Sequence, residues 1–320
     1  MKYKIKRIKN DASFREFYRI SVNQKSSILV FAKKERFKNL IIYCAINQIL
    51  NKNNIKAPAL IKQYFNQGIM EISDLGKTSL FDLINKRKNK FLEYTKVLDL
   101  LIKMQKIKIK QKIIFKKNKI FINKYDKNNL HKESDLFFKW YLKYFCQSKK
   151  NKTTMKSIKK ELSNVYNKLS FKNDTFVHRD FHASNILIHK KKYGIIDSQD
   201  AIMGSQFYDV ASLIDDVRVK IPYPIRNKLF QYYLKKKANE KNKFELSKDD
   251  FDIFSVQRNL KILGIFVRLS VRDNKHNYLK YLPNTWKLIE FRLKNPIFRK
   301  LKKLLYKSVN KQVRKRNYLL

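Results

Sequence analysis

The sequence contains few cysteines and few glycines, and each shortage excludes a class of protein. Cys44 and Cys146 are the only cysteines among the 320 residues. Their wide separation excludes a disulfide framework and a CxxC zinc or redox site, and it is compatible with a reducing compartment. The five glycines are so scattered that no GxGxxG and no GxxxxGK[ST] occurs. A Rossmann dinucleotide fingerprint and a Walker P-loop are therefore both excluded.

Long apolar runs are also absent from the sequence. No segment of 18 apolar residues occurs, and no apolar stretch of the kind found in secretory signals follows the basic start. We therefore expect a cytoplasmic protein without a membrane span. Hydrophobic residues still make up 43% of the chain, which is too apolar for intrinsic disorder. A chain of this length buries roughly three quarters of its unfolded surface, so it can form a core without disulfide bonds or structural metals.

Acidic residues are scarce, and the excess of lysine and arginine is large. The chain has 74 Lys and Arg against 26 Asp and Glu, a formal net charge of +48. Such a charge suggests nucleic acid or an anionic membrane as a partner. The lysines are, however, spread from Lys2 to Lys315 and form no arm or stripe. We interpret them as solvated faces and do not expect nucleic acid as the partner, although a positive field would speed the arrival of nucleotides.

Hydrophobic periodicity divides the chain into a first part rich in strands and a second part rich in helices. Alternation over residues 14–22, followed by the apolar run 27–31, predicts a hairpin. Helical spacing predicts a helix over residues 37–50, and Pro58 marks a break before the apolar stretch 59–72. We expect a small β-rich lobe that ends near residue 75.

The residues after Gly76 have mainly helical spacing. Ser79 and Asp82 form a capping-box signal, and the apolar residues between Tyr94 and Met104 keep a helical stripe. The exception is the stretch 176–197, whose short apolar runs predict short strands around a loop. The stretch 298–315 predicts a terminal helix that packs on the body of the protein. The predicted fold class is α+β, with a small N-terminal lobe over residues 1–75 and a larger, mainly helical lobe over 76–320.

The chemistry of the sequence is concentrated in HRDFHASNILIHKKKYGIIDSQD, residues 178–200. Asp180 and Asn185 lie on one predicted loop, and Asp197 follows an apolar pair that would end a strand. Hard cations such as Mg²⁺ select oxygen ligands and keep several waters. Asn185 and Asp197 therefore suit a magnesium ion whose shell is completed by substrate phosphates, and Asp180 would remain available as a base.

These residues resemble a known catalytic loop. HRDFHASN matches the kinase pattern HRDxxxxN, and Asp197 stands where the metal-binding aspartate of the DFG triplet stands, although the triplet here is Asp-Ser-Gln. These departures from the protein-kinase pattern point to the aminoglycoside phosphotransferase and choline kinase superfamily, whose catalytic loop resembles this one. Further blocks resemble the bacterial anomeric N-acetylmuramate/N-acetylglucosamine kinases of cell-wall recycling: DASFREFYR (11–19), SDLG (73–76), GIIDSQDAIMG (194–204), YDVASLIDD (208–216) and QRNLKILGIFVRLSVRD (257–273).

The resemblance implies a protein-kinase-like bilobal fold and roles for the loop residues. Asp180 would orient or deprotonate the sugar hydroxyl, and His178 would brace the loop. Asn185 and Asp197 would hold Mg²⁺ that bridges the phosphates of ATP, so ATP and Mg²⁺ are the expected cofactors. Asp209 would accept hydrogen bonds from the catalytic-loop backbone, which is a structural task.

The resemblance also assigns the N-terminal lobe to the nucleotide. The hairpin over residues 11–19, with Ser13, would cover the phosphates, and the hinge from Glu71 through Asp74 to residue 75 would face adenine. The lysine that holds the phosphates would be Lys33 or Lys34, which alternation places on opposite faces. Residues 36–52 contain no Glu or Asp, so the usual helix partner of this lysine is missing and only Glu35 lies nearby.

Candidate substrate contacts come from the C-terminal lobe. Gln199 and Asp200 follow the metal aspartate and are candidates for sugar hydroxyls. Arg258 and Arg268 are candidates for bidentate hydrogen bonds to the lactyl carboxylate of N-acetylmuramate, although surface ion pairing would explain them as well. For Asp215 and Asp216 we prefer ion pairing over a substrate contact.

The sequence thus predicts an ATP- and Mg²⁺-dependent kinase acting on a sugar hydroxyl, in particular the anomeric hydroxyl of N-acetylmuramate or N-acetylglucosamine. One alternative is a kinase of another small alcohol, choline-like or aminoglycoside-like, although cationic substrates need an acidic pocket. A second alternative is a catalytically idle kinase-fold protein that binds nucleic acid. The presence of Asp180, Asn185 and Asp197 argues against this second alternative.

Overall fold

The computed structural model describes residues 3–8, 15–23, 25–32, 37–87, 89–146, 151–170, 173–190, 192–238 and 247–318. The chain forms two compact units, which are Met1–Asn123 with Thr175–Met203 (unit 1) and Lys124–Asp174 with Gly204–Leu320 (unit 2). The assignment of residues 1–75 and 76–320 as functional lobes stays a prediction. Ser13, Lys33, Lys34 and Glu35, which the sequence places near the phosphates, lie outside the described residues.

A five-stranded antiparallel sheet opens unit 1. Its strands, in the spatial order β1-β2-β3-β5-β4, are β1 (Tyr3–Ile8), β2 (Glu16–Val22), β3 (Lys25–Phe31), β4 (Leu60–Tyr64) and β5 (Ile69–Ser73). The predicted hairpin is confirmed, since β2 and β3 pair directly and Tyr18 lies opposite Leu29. Strand β5 pairs with both β3 and β4. Its side chains alternate between partly and fully buried, as expected for a strand with one face on a core.

Helix α1 (Phe37–Lys52) covers this sheet. Leu40 and Cys44 of the helix belong to the same buried cluster as Val30 of β3 and Met70 of β5. Leu40, Val30 and Met70 are each fully buried. Burial of a side chain of this size contributes roughly 1.5–3 kcal/mol, so the helix and the sheet stabilise each other. The predicted helix over residues 37–50 is confirmed.

The remainder of unit 1 consists of short elements. They are β6 (Thr78–Ser79), α2 (Leu80–Lys86), α3 (Lys90–Gln105), β7 (Lys112–Phe115), β8 (Asn118–Phe121), β9 (Thr175–Val177), β10 (Ile186–His189), β11 (Lys192–Ile195) and β12 (Ile202–Gly204). The capping box is confirmed, because the Ser79 side chain accepts from the Asp82 backbone and the Asp82 side chain accepts from Ser79. The strands predicted between residues 176 and 197 are also present. Strands β11, β10 and β6 form one sheet.

Unit 2 is built from helices around a 26-residue central helix. The helices are α4 (Lys127–Leu136), α5 (Lys143–Phe145), α6 (Asn151–Tyr166), α7 (Phe207–Ile214), α8 (Tyr223–Ala238), α9 (Lys248–Asp273), α10 (Leu282–Arg292), α11 (Arg299–Ser308) and α12 (Lys311–Lys315), with a π-helical turn over Phe137–Leu142. Helices α4, α7 and α10 pack on α9. The single terminal helix predicted over 298–315 is divided into α11 and α12, because the backbone is extended at Val309 and Asn310. The stretch packs on the body as predicted, since α11 lies against α6. Within the described residues, no helix has the length and apolar character that crossing a membrane requires.

Asp215 and Asp216 are buried charged side chains of unit 2 that form ion pairs. Asp215, which is 1% exposed, accepts from Arg292 Nε at 2.8 Å and from Arg226 Nη1 at 3.2 Å. Arg218 pairs with Asp216. Burial raises the pKa of Asp215, but the two arginines and a hydrogen bond from Ser255 outweigh burial and hold the pKa below its usual range. The preference for ion pairing at Asp215 and Asp216 is confirmed.

We predict that Gly264→Ala destabilises unit 2 although alanine favours helices. A Cβ at residue 264 would lie 2.2 Å from the Leu136 carbonyl oxygen and 2.7 Å from the Phe137 nitrogen, both backbone atoms. Helix propensity favours alanine by about 1 kcal/mol, whereas overpacking against backbone atoms costs about 3 kcal/mol. Urea unfolding should therefore show a net loss of about 2 kcal/mol. Val271→Ala, at an exposed position of the same helix, is the control, and an unchanged or raised stability of Gly264→Ala would contradict the prediction.

Candidate active site

The predicted catalytic loop connects β9 to β10 in unit 1. Phe176 and Val177 are buried and end β9, and the polar residues begin directly after them. A 3₁₀ turn over Ala183–Asn185 then leads into β10. Arg179 has a φ of 77°, so the backbone turns sharply next to Asp180. The local sequence thus produces a tight polar loop between two short strands, as expected from the pattern.

Asn185 joins the two ends of the site. Its side-chain Nδ2 donates to the backbone oxygen of Asp180 at 3.0 Å, and the backbone carbonyl of Asn185 accepts from the backbone nitrogen of Ile196 at 3.0 Å. The His182 nitrogen also donates to the Asp180 oxygen at 3.0 Å. The loop that carries Asp180 and the segment that carries Asp197 are therefore held together through Asn185. The structure brings the three predicted residues into one place.

Asp197 lies directly beyond β11 with its backbone in the left-handed region, at φ 67° and ψ 42°. Burial raises the pKa of its carboxyl above the usual value, and the charge of Asp180 raises the pKa further. A hydrogen bond from Gln199 Nε2 to Asp197 Oδ1, at 2.9 Å, acts in the opposite direction. The charge of Asp180 therefore acts on the Asp197 carboxyl. Two such neighbours repel unless a cation lies between or beside them.

His178 is completely buried behind the loop. Burial lowers the pKa of its imidazole to about 4, although the Asp180 charge and a backbone contact raise it. The ring meets Phe181 edge-on, with centroids 6.1 Å apart. A histidine that stays neutral at physiological pH does not supply a positive charge to phosphates. The geometry is compatible with the predicted bracing role.

The oxygen donors at this place fit a magnesium ion. Asn185 Nδ2 is occupied by the Asp180 backbone, so Oδ1 is the atom that Asn185 can offer to a cation. Within the described ranges, no group of three His, Cys, Asp or Glu side chains could hold a metal by itself. Mg²⁺ usually takes one or two carboxylates and completes its shell with water and substrate phosphates. A site with few protein ligands and two adjacent carboxylates therefore suits Mg²⁺ better than a dedicated structural metal.

The predicted hinge begins where β5 ends. Glu71 lies inside the sheet, in register with Leu29 and Lys62, and its side chain accepts from Ser27 Oγ at 2.6 Å. Its backbone therefore belongs to the strand ladder. The chain leaves the ladder only after Ser73, which favours the residues beyond Ser73 for the predicted contact with adenine.

Asp74 holds the hinge through an ion pair. Arg19 Nε donates to Asp74 Oδ2 at 2.5 Å and Arg19 Nη2 donates to Oδ1 at 3.0 Å, while Nη2 also reaches the Gly76 carbonyl at 2.8 Å. Burial raises the pKa of Asp74, but hydrogen bonds from Arg19, Ser26 and Gly76 outweigh burial and lower it. Gly76 has a φ of 93°, where a side chain would be strained. The described contacts of Asp74 thus shape the hinge.

The hinge is also fixed to the β10–β11 hairpin. Leu75 is buried, and a Cβ at Gly194 would lie 2.8 Å from its side chain. The Ile195 nitrogen donates to the Lys56 carbonyl at 2.8 Å. The segment expected to meet adenine and the strand that leads to Asp197 are therefore parts of one packed unit.

Two residues that the sequence patterns did not single out contact the residues after Asp197. They are Asn47 of α1 and Arg15, which lies directly before β2. Asn47 Oδ1 accepts from Ser198 Oγ at 2.6 Å, and Arg15 Nη1 donates to Gln199 Oε1 at 3.3 Å. Arg15 lies in the DASFREFYR block, which was the one available signal for it. No periodicity could indicate that it would be buried beside residues 184 positions away.

The remaining predicted residues are divided between the two units. Asp200 is exposed at the end of a 3₁₀ turn in unit 1. In unit 2, Asp209 is buried on α7, and Arg258 and Arg268 lie on α9. Arg258 is 6% exposed, so it is not a surface residue. Arg268 Nε is buried and has no hydrogen-bond partner among the described residues.

Comparison with known proteins identifies the relatives of this chain. The family model described as "Phosphotransferase enzyme family" matches residues 158–243, which include the catalytic loop. The N-acetylmuramate/N-acetylglucosamine kinase of Pseudomonas aeruginosa is 27% identical over 285 residues, which are 88% of this chain and 81% of that protein. These similarities confirm the predicted resemblance and the prediction of a small-molecule kinase.

Solved structures show the same fold. A choline/ethanolamine kinase family protein from Mesorhizobium loti superposes with a TM-score of 0.61 at 12% identity, covering 94% of this chain and 92% of that chain. A thermostable mutant of aminoglycoside phosphotransferase APH(4)-Ia, in ternary complex with ADP and hygromycin B, gives a TM-score of 0.63 at 10% identity, with coverage of 90% and 93%. The predicted protein-kinase-like fold, with a small antiparallel sheet and a mainly helical remainder, is confirmed.

We predict that Asp74→Asn destabilises the protein in a pH-dependent manner. Removing one partner of a buried ion pair costs about 3 kcal/mol, because the other charge loses its compensation. The pKa of Asp74 is lowered in the folded state, so its contribution is present above the unfolded pKa and is lost as the pH falls through the folded pKa. In urea unfolding, the stability difference from wild type should shrink as the pH falls from 7 toward 3. Asp99→Asn, at an exposed position of α3, should change little, and a difference independent of pH would contradict the prediction.

Proposed function

We propose that this small-molecule kinase phosphorylates an amino sugar, N-acetylmuramate or N-acetylglucosamine, at the anomeric hydroxyl, using ATP and Mg²⁺. The observation that carries the proposal is the arrangement of the loop, in which Asn185 binds the backbone of Asp180 and Asp180 is electrostatically coupled to Asp197. The relative from Pseudomonas aeruginosa, similar over most of both chains, supports the choice of acceptor. The cytoplasm is the compartment that this activity implies.

In the proposed reaction the anomeric oxygen of the sugar attacks the γ-phosphorus of ATP. A new phosphorus–oxygen bond forms to the sugar, the bond between the γ-phosphorus and the bridging β-phosphate oxygen breaks, and ADP leaves. The Asp180 carboxylate orients the sugar hydroxyl and accepts its proton. Most of the acceleration comes from holding the two reactants in line, since phosphoryl transfer requires little covalent help from the protein.

Asn185 and Asp197 would hold Mg²⁺, through Oδ1 and the carboxylate respectively. The bound ion neutralises phosphate charge. The raised pKa of Asp197 follows from burial and from the neighbouring Asp180 charge. A divalent cation would relieve this repulsion, which gives the proposed magnesium site a physical reason beyond the motif. His178 stays neutral and braces the loop from behind.

The nucleotide would lie along unit 1. The backbone beyond Ser73, shaped by the pair of Arg19 with Asp74, would face adenine, whereas Glu71 would support it from within the sheet. Ser13 and Lys33 stay candidates for the phosphates. The solved structure of a spectinomycin phosphotransferase in complex with ADP and spectinomycin has the same fold and supports a nucleotide as one substrate.

The sugar contacts are the least direct part of the proposal. Gln199 already binds Asp197 and Arg15, so it suits positioning of the metal aspartate, whereas the exposed Asp200 is available for a sugar hydroxyl. The buried Nε of Arg268 has no partner in the described chain. An unpaired buried donor favours an anion as its ligand, which supports Arg268 as the residue for the lactyl carboxylate. Arg258 stays a second candidate.

An acceptor screen tests the proposed function directly. Purified protein, ATP and Mg²⁺ are incubated separately with N-acetylmuramate, N-acetylglucosamine, glucose, choline and an aminoglycoside, and products are identified by mass spectrometry. We expect a monophosphate of the amino sugars that is lost on mild acid treatment, as an anomeric phosphate is. A stable sugar phosphate would refute the anomeric position. Phosphorylation of choline or the aminoglycoside in place of the amino sugars would refute the acceptor class.

Two variants separate proton transfer from nucleotide binding. Asp180→Asn should lower kcat by about 10²–10⁴-fold and leave the affinity for ATP nearly unchanged, because the residue acts on the acceptor hydroxyl. Asp197→Ala should abolish the magnesium-dependent part of ATP binding, measured by calorimetry with and without EDTA. Asp99→Asn, far from the loop in sequence and exposed, is the charge-matched control. Normal turnover in either site variant would contradict the assigned roles.

A further inference from the structure

The expected phosphate clamp of this kinase is incomplete. In kinases with this loop a strand lysine binds the phosphates and pairs with an acidic residue of the following helix. Residues 36–52, which include α1, contain no Asp or Glu, so the lysine has no helix partner there. The side of α1 that meets residues 198–200 presents the neutral side chain of Asn47 to Ser198. The lysine therefore lacks the acidic side chain that positions it in related kinases, and a second cation near Asp197 would supply a fixed charge.

Arg15 is a cation placed beside the metal aspartate. It lies directly before β2, at the end of the loop expected to cover the phosphates, and it is only 6% exposed. Its Nη1 donates to Gln199 Oε1 at 3.3 Å, and Gln199 Nε2 donates to Asp197 Oδ1 at 2.9 Å. The charge of Arg15 also lowers the pKa of Asp197, against the larger effect of burial. The side chain of Gln199 thus bridges Arg15 and Asp197, the proposed magnesium ligand.

Helix α1 holds the guanidinium in this position. The Arg15 Cζ lies 5.5 Å from the centre of the Tyr43 ring, and Tyr43 is hydrogen-bonded to Asn47 on the next turn. Asn47 in turn accepts from Ser198, the residue between Asp197 and Gln199. A closed set of contacts therefore joins the start of β2, α1 and the metal aspartate. In related kinases the pair of the strand lysine and its acidic partner joins the sheet to the following helix.

We propose that Arg15 binds the phosphates of the nucleotide and takes the place of the strand lysine as the phosphate clamp. A guanidinium presents several N–H donors in a planar fork whose geometry matches phosphate oxygens. Charge-assisted hydrogen bonds of this kind are strong where water is excluded. The role rests on the proposed function, because it requires a nucleotide at this site, but it assigns a residue that the motif does not.

The test measures nucleotide binding without any sugar. Calorimetry in EDTA compares ADP with adenosine for wild type, Arg15→Met, Arg15→Lys and Lys33→Met. We expect Arg15→Met to bind ADP at least tenfold more weakly and adenosine within twofold of wild type, because only the phosphate contact is lost. Arg15→Lys keeps the charge but loses the planar fork, so its affinity for ADP should lie between those of wild type and Arg15→Met. Arg7→Met removes an exposed arginine of the same unit and should bind ADP within twofold of wild type, which controls for net charge.

The outcomes are distinct. ADP affinity of Arg15→Met within twofold of wild type, or a loss confined to measurements with Mg²⁺, would overturn the inference, since Arg15 would then only position Asp197. A tenfold loss in Lys33→Met with none in Arg15→Met would assign the clamp to the strand lysine. If Arg15→Met fails to fold by circular dichroism, Arg15→Lys decides, with at least a threefold loss of ADP affinity expected. The same titrations are repeated with Mg²⁺, and failure of wild type to bind ADP both in EDTA and with Mg²⁺ would instead refute the proposed function.

Discussion

The hydrogen bond from the Asn185 side chain to the Asp180 backbone is the interaction on which the site depends. It fixes the loop after β9, while the Asn185 carbonyl accepts from Ile196 and so fixes the segment that ends at Asp197. The pairing of β10 with β11 brings the two segments together, and this double attachment fixes their ends against each other. With it, the two carboxylates are close enough for the charge of Asp180 to raise the pKa of Asp197. The chemistry proposed for the protein requires this proximity.

The site is an acidic spot in a strongly basic protein. The formal net charge of +48 produces a field that attracts ATP, but it does not by itself hold the phosphates in place. Local charges perform that task. In the proposed site a divalent cation would offset the charges of Asp180 and Asp197, and Arg15 would add a positive group joined to Asp197 through Gln199. In this proposal the abundant lysines would attract the nucleotide, and the few placed charges would orient it.

The predicted hinge and Asp197 are parts of one packed unit. Arg19 binds Asp74 and the Gly76 carbonyl, and Leu75 packs against Gly194 of β11. The strand pair that precedes Asp197 is therefore supported by the segment proposed to face adenine. This explains why residues 175–203 belong to the same compact unit as the N-terminal sheet, although nearly a third of the sequence lies between hinge and loop.

Local sequence determined the type of most elements and the chemistry of the loop. The hairpin, α1 and the capping box were predictable because periodicity and caps act over a few residues, and the loop motif because its residues are neighbours in the chain. The partners of Arg15, Asn47 and Asp215 could not be predicted in this way. Arg15 and Gln199 are 184 residues apart and Asn47 and Ser198 are 151 apart. Only tertiary packing selects such pairs, because a side chain's charge and size do not specify which distant residue will be folded against it.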